Sequence, residues 1–299
     1  MVQPQPFGTM LTAMITPFTS DGQQDLLGAQ QLASYLVDDL AHDGLVINGT
    51  TGESATKSDQ EDADLLRAVV EAVGDRATVI AGVGTNDTQH SLHSARTAER
   101  MGAHALMAVA PYYNRPPQEG LIAHFTAIAD ATALPLMTYD IPKRTGVAIE
   151  PETLVRLAEH PRIVANKDAK GDLEASQWAM ARSDLAWYCG DDILNLPMLA
   201  LGASGMISVV GHLVGDRLKN MAEVFWSGDV QEAARLNRDL LAVYRGIFRT
   251  QGVILTKAAL EMQGLPAGPV RLPLVNATAQ QREVLRDDLM SAHVRGFVS

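Results

Sequence analysis

Lys167 closes the run Ile163-Val164-Ala165-Asn166-Lys167, after which the chain turns polar with Asp168-Ala169-Lys170. An amine held at the end of an apolar strand is a candidate nucleophile, because desolvation disfavours the ammonium and draws its pKa toward neutrality. Alone, such a lysine is more often a solvated surface charge. Other apolar runs end in groups that complement an amine: Thr50 and Thr51 in Gly49-Thr50-Thr51-Gly52-Glu53-Ser54, Tyr113 in Pro111-Tyr112-Tyr113-Asn114, and Tyr139 ahead of Asp140-Ile141-Pro142-Lys143-Arg144-Thr145-Gly146. Gly190-Asp191-Asp192 and Ile207-Ser208 end two more. One amine, several phenols and hydroxyls, and one arginine suit carbonyl chemistry through an imine. The amine condenses with a ketone, the hydroxyls move protons, and the guanidinium grips a carboxylate in a two-pronged contact.

Metal chemistry finds less support. The eight histidines are scattered, and His90 and His93 share a helical face without a third ligand. Asp191 and Asp192 are adjacent, so on a strand they point to opposite faces, and a structural turn is the better reading. No metal and no cofactor are expected.

These residues need a frame that brings eight strand ends together. Eight apolar runs occur in order: Leu11–Phe18, Gly44–Asn48, Thr78–Gly84, Ala105–Tyr113, Leu134–Ile141, Ile163–Lys167, Leu185–Gly190 and Gly205–Val210. Between them lie amphipathic stretches, Gly28–His42, Ser58–Val73, Thr88–Met101, Gln118–Ala131, Pro151–Glu159, Leu173–Met180 and Ile193–Leu201. Ser58 before Asp59, Gln60 and Glu61 is a helix start, Pro151 suits a first helical position, and Gly74, Gly102 and Gly202 are stops. Continuous apolar strands alternating with helices mean a parallel sheet covered on both faces, and eight units predict an α/β fold, the (β/α)8 TIM barrel. A doubly wound sheet is the runner-up, but Gly82-Val83-Gly84 lacks the glycine spacing of a dinucleotide loop. After Val210 only helices are expected, at Asp216–Trp226, Val230–Arg249, Thr256–Gln263 and Gln280–Ala292. The predicted division is a barrel over 1–214 and a carboxyl-terminal helical appendage over 215–299.

Composition narrows the partners. The chain has 299 residues, 46% hydrophobic and 20% charged, with a formal net charge of -11, which opposes a nucleic-acid footprint. No apolar run reaches the length of a membrane span, and Met1–Met10 has no signal-peptide pattern. The lone Cys189 fits a reducing compartment and is expected to be buried and inert. A cytoplasmic protein acting on small molecules is expected.

Taken together, the Gly49–Ser54, Pro111–Asn114, Tyr139–Gly146, Lys167–Ala169 and Gly190–Asp192 motifs resemble, in order, those of the dihydrodipicolinate synthase / N-acetylneuraminate lyase family. The similarity covers about Thr9 to Pro273. The Arg-Thr-Gly run after the fifth strand is similar to the synthase branch, which condenses pyruvate with L-aspartate-4-semialdehyde on the route to lysine. The resemblance implies that Lys167 forms the imine with pyruvate, that Tyr139 is the central proton donor and acceptor, and that Thr51 links it to Tyr113. Thr50, Thr51 and the backbone near Gly190 and Ile207 would surround pyruvate, and Arg144 would receive the aldehyde's carboxylate. It also implies a homodimer or homotetramer in which Tyr113 crosses the dimer interface into the neighbouring site. The alternatives are another pyruvate-dependent aldolase or dehydratase of the family, acting on a sugar acid, N-acetylneuraminate or a hydroxy-oxo acid, or a non-catalytic binding or regulatory member.

Three residues depart from the family pattern. Asp140 stands where asparagine is commoner, and if outward-facing it would pair with Lys143 or Arg144. Asn166 replaces an aliphatic residue; it should face the helices and needs a partner there. Lys170 adds a cation where a small residue is usual. Around the regulatory pocket the resemblance implies, Ser54, Ala55, Asn86 and Tyr112 match, while Asp59, Asp62 and His90 do not. Weak or absent inhibition by lysine is the expectation.

Overall fold

The computed structural model describes residues 5–297. Its strands are β1 (Met10–Ala13), β2 (Gly44–Ile47), β3 (Thr78–Gly82), β4 (Ala105–Val109), β5 (Leu136–Asp140), β6 (Ile163–Asp168), β7 (Ala186–Cys189) and β8 (Gly205–Ser208). They close in sequence order into the predicted barrel, every neighbour parallel and β8 returning to β1. Most strands are shorter than the apolar runs that announced them, because the ends of those runs leave the ladder and bend over the mouth. β4, for instance, stops at Val109, before Pro111, which has no N–H for a ladder bond.

Alternation along each strand sorts the core into two. Leu11, Val46, Ile80, Met107, Met137, Tyr139, Tyr188 and Ile207 fill the barrel, while outward neighbours such as Leu45, Leu106 and Trp187 pack on the helices. At the amino-terminal end the barrel has a floor. The Tyr188 hydroxyl accepts a hydrogen bond from the Phe7 amide (3.2 Å) and donates one to the Gly8 carbonyl (3.0 Å), with the Phe7 and Tyr188 rings 6.0 Å apart.

Local signals hold at most helix ends. Ser58 caps Asp59–Val73 in a reciprocal box with Glu61, satisfying two otherwise orphaned amides. Two expectations need correction. Gly28–His42 is helical only over Leu26–Ser34, then widens into a π turn at Tyr35–Asp39. Val230–Arg249 is two helices, Val230–Asp239 and Leu241–Ile247, broken at Leu240 although the apolar stripe continues through it. Helices Gly211–Trp226, Gly252–Met262 and Ala279–Ser291 share one apolar cluster with the helices around the barrel. Among the described residues no helix is long and apolar enough to cross a membrane.

Candidate active site

The register of β5 against β6 pairs Tyr139 with Lys167, both inward-facing. Lys167 Nζ lies 4.3 Å from the centre of the Tyr139 ring. Burial, leaving Lys167 5% exposed, pushes its ammonium down to about 8; the Arg144 charge acts in the same direction and Asp192 and Cys189 oppose it. Asp192 does not pair with Lys167. Its carboxylate accepts from the Ser208 hydroxyl, Asn195 Nδ2 (3.2 Å) and the amides of Val209 (2.9 Å) and Val210 (3.1 Å). Lys167 thus has no carboxylate within ion-pair distance among the described residues, and a desolvated amine without a counter-ion is readily deprotonated.

Tyr139 is 5% exposed, and burial raises its phenol to about 12 against the opposing Arg144 charge and Thr50 hydroxyl. The phenol therefore stays protonated and able to donate. Thr50 is half-buried and Thr51 buried in the loop after β2, which Thr16 Oγ1 holds by donating to the Gly52 carbonyl at 2.6 Å. The Thr51 hydroxyl makes no hydrogen bond to another described residue. Arg144 is exposed, and its charge reaches both Lys167 and Tyr139.

Two expected pyruvate neighbours are built differently from one another. The Gly190 amide is committed to the Asp168 carbonyl (2.7 Å), and a Cβ there would stand 2.9 Å from Lys167 Cε and 3.0 Å from Cγ. Glycine at 190 makes room for the lysine side chain. Ile207 lies opposite Leu11 and is part of the packed barrel interior. Tyr113 stands apart: it is 90% exposed with φ 73, its amide bonded to the Thr145 carbonyl at 3.2 Å, and its hydroxyl makes no hydrogen bond to a described residue.

The departures from the family pattern find partners behind the site. Asp140 faces the helices and pairs with Lys170 at 3.1 Å, both buried or nearly so, and not with Lys143 or Arg144. Lys170 comes close because the loop after β6 folds back toward β5, a proximity that strand alternation does not encode. Asp140 Oδ1 also accepts from the Ile149 amide (3.2 Å) and Lys170 donates to the Ile149 carbonyl (3.3 Å), so the pair pins the segment that follows Arg144. Asn166 faces outward and its Oδ1 accepts from Thr138 Oγ1 at 2.8 Å, whereas its buried Nδ2 has no partner among the described residues. His90 bonds Asp59 at 2.8 Å, and no group of three or more His, Cys, Asp or Glu among the described residues could hold a metal. Cys189 is buried, and desolvation raises its thiol well above the ordinary range.

Sequence reasoning missed one cluster beside the threonine loop. Glu53, Lys257 and Arg271 meet there, with Lys257 Nζ 2.6 Å from Glu53 Oε1 and the Arg271 amide 2.8 Å from Oε2. Its available signal was Lys257 itself, the one cation in the largely apolar helix Gly252–Met262.

Residues 6–292 match the model of the dihydrodipicolinate synthetase family. A 4-hydroxy-tetrahydrodipicolinate synthase from Streptomyces coelicolor is 65% identical, with 97% of each chain covered. Among solved structures, the lysine-bound dihydrodipicolinate synthase of Cyanidioschyzon merolae superposes with a TM-score of 0.95 at 40% identity, covering 97% of this chain and 99% of that one. The pyruvate complex of the chloride-inhibited dihydrodipicolinate synthase from Acinetobacter baumannii gives 0.92 at 35%, covering 96% and 99%. With the barrel, the lysine at the end of β6 and a match along nearly its whole length, this chain belongs to the dihydrodipicolinate synthetase family.

Proposed function

We propose that this protein is a lyase that condenses pyruvate with L-aspartate-4-semialdehyde, giving 4-hydroxy-tetrahydrodipicolinate and water in lysine and diaminopimelate biosynthesis. The observation that carries the reading is Lys167: buried, without a carboxylate partner among the described residues, and beside a protonated phenol at the mouth of a closed barrel. Its relatives support the choice of substrates.

Lys167 Nζ adds to the ketone carbon of pyruvate, and the resulting hydroxyl leaves as water once protonated, giving the imine. Loss of a methyl proton forms the enamine, whose carbon attacks the aldehyde. The amino group of the semialdehyde then displaces the lysine and closes the ring. Tyr139 supplies and retrieves protons in these steps, since a phenol held near 12 is neutral between transfers. Thr50 and Thr51 flank the pyruvate carboxylate with the backbone near Gly190 and Ile207, and Arg144 takes the carboxylate of the semialdehyde. Tyr113 works in a neighbouring subunit's site, with Thr51 linking it to Tyr139, so the active form is a homodimer or homotetramer. Its 90% exposure in the single chain agrees with that role. The barrel over 1–214 carries the chemistry, the helices over 215–299 support it, and the enzyme works in the cytoplasm. With His90 bound to Asp59 where a carboxylate would face an effector's amino groups, inhibition by lysine is weak or absent.

Borohydride reduction with pyruvate should leave Lys167 heavier by pyruvic acid less one oxygen. The enzyme should turn over the semialdehyde in preference to N-acetylneuraminate and short sugar acids, and Arg144→Ala should weaken its use of the semialdehyde. Absence of the adduct, or a preference for a sugar acid, overturns the assignment.

A further inference from the structure

Glu53 ends the loop that carries Thr50 and Thr51, and its backbone is left-handed (φ 55, ψ 36), which L-residues adopt at a cost unless their surroundings enforce it. The enforcement comes from the far end of the chain. Lys257, in the carboxyl-terminal helix Gly252–Met262, meets Glu53 Oε1 at 2.6 Å, and the Arg271 amide donates to Oε2 at 2.8 Å. Both side chains of the ion pair are almost completely buried. Lys257 also donates to the Pro269 carbonyl (2.8 Å) and lies 4.2 Å from the centre of the Phe18 ring, which the Arg271 guanidinium approaches at the same distance. That guanidinium donates in turn to the carbonyls of Gly22 and Thr56 (2.8 and 2.9 Å) and to Glu61. From β1, Thr16 holds the same loop at Gly52.

We infer that Glu53, Lys257 and Arg271 are positioning residues, which clamp the carboxyl-terminal region onto the threonine loop and set where Thr50 and Thr51 sit relative to Tyr139. The inference rests on the proton-relay reading of that loop. Lys167 is on β6 and does not depend on the clamp, so the two parts of the site separate. Loosening the clamp leaves imine formation possible while misplacing the hydroxyls that assist the later proton transfers.

The test uses the full-length enzyme, with Glu53→Gln and the double variant Glu53→Gln/Lys257→Met. The double variant removes both buried charges, so it folds without an uncompensated ion. Expected for either is a fall in kcat of roughly 10- to 100-fold, as for displacement of an assisting group by about 1 Å. KM for pyruvate should rise by a smaller factor than kcat falls, since Thr50 and Thr51 also flank the pyruvate carboxylate, and borohydride should still trap pyruvate on Lys167. Glu53→Asp should restore part of the loss. Should the folded double variant keep kcat within about twofold of wild type while losing only thermal stability, the clamp is structural and the inference fails, with the function reading intact. Should wild type itself trap no pyruvate, both fall together.

Discussion

Lys167 and Lys257 are both buried, 5% and 2% exposed, and desolvation pushes both ammonium groups down to about 8. Their surroundings then diverge. Lys257 faces a carboxylate at 2.6 Å and a carbonyl at 2.8 Å, so its donors are engaged inside the fold. Lys167 has a phenol ring at 4.3 Å and no carboxylate in reach among the described residues, because Asp192 is already occupied by Ser208, Asn195 and two amides. A depressed lysine therefore reports burial. Reactivity requires in addition that no acceptor hold the nitrogen and that its side chain face an opening.

Breaking each lysine in turn should show the difference at its largest. Lys167→Ala is expected to abolish the borohydride-trapped adduct and lower kcat by about 10⁴-fold or more, with a normal unfolding transition. Retention of activity would place the nucleophile elsewhere. With wild type, the rate of adduct formation at fixed pyruvate should climb with pH and level off above about 8, as the ammonium of Lys167 gives way to the free amine. Lys257→Met inverts the pattern: the adduct still forms, but Glu53 is left buried without its counter-ion, and denaturant titration should register a loss of roughly 3–5 kcal/mol. A stability loss under 1 kcal/mol would mean that Glu53 finds other partners.

Asp140 with Lys170 extends the comparison to a pair that burial strains. Desolvation raises the Asp140 carboxyl from 3.8 to about 6 despite the lysine. The folded protein thus binds an extra proton between those values, so this group's contribution to stability is full below about pH 4 and is lost as pH rises through 6. Relative to Asp140→Asn, wild type should lose roughly 3 kcal/mol across that window in urea titrations at successive pH values. A difference independent of pH would mean that Asp140 is ionised throughout. Smallest should be Gly190→Ala, which presses a methyl group on Lys167 and should cost about 1–3 kcal/mol. Adduct formation should slow in that variant, and an unchanged rate would show that the lysine side chain yields freely.

These contrasts also mark what the sequence could disclose. Continuous apolar runs carry the strand positions because both faces of a barrel strand are buried, and their number, alternating with helices and without a dinucleotide-loop glycine spacing, implies the closed sheet. Tyr139 and Lys167 could be placed together on those grounds, since both sit inward at the ends of adjacent strands. Alternation likewise put Asn166 outside the barrel, where Thr138 meets it. It could not choose a partner for Asp140, because that depends on the path of the loop bearing Lys170. Nor could it join Glu53 to Lys257, two residues on separate loop and helix elements whose meeting depends on how the carboxyl-terminal helices wrap the barrel.

The Phe7–Tyr188 floor covers the amino-terminal end of the barrel, opposite the end that carries Lys167. In the proposed reaction, water expelled when an imine forms at Lys167, and water needed to hydrolyse any imine that stalls, would pass the same rim that admits both substrates. A substrate seated at that rim would shield the enamine from solvent, so the reaction partner itself would serve as the cover.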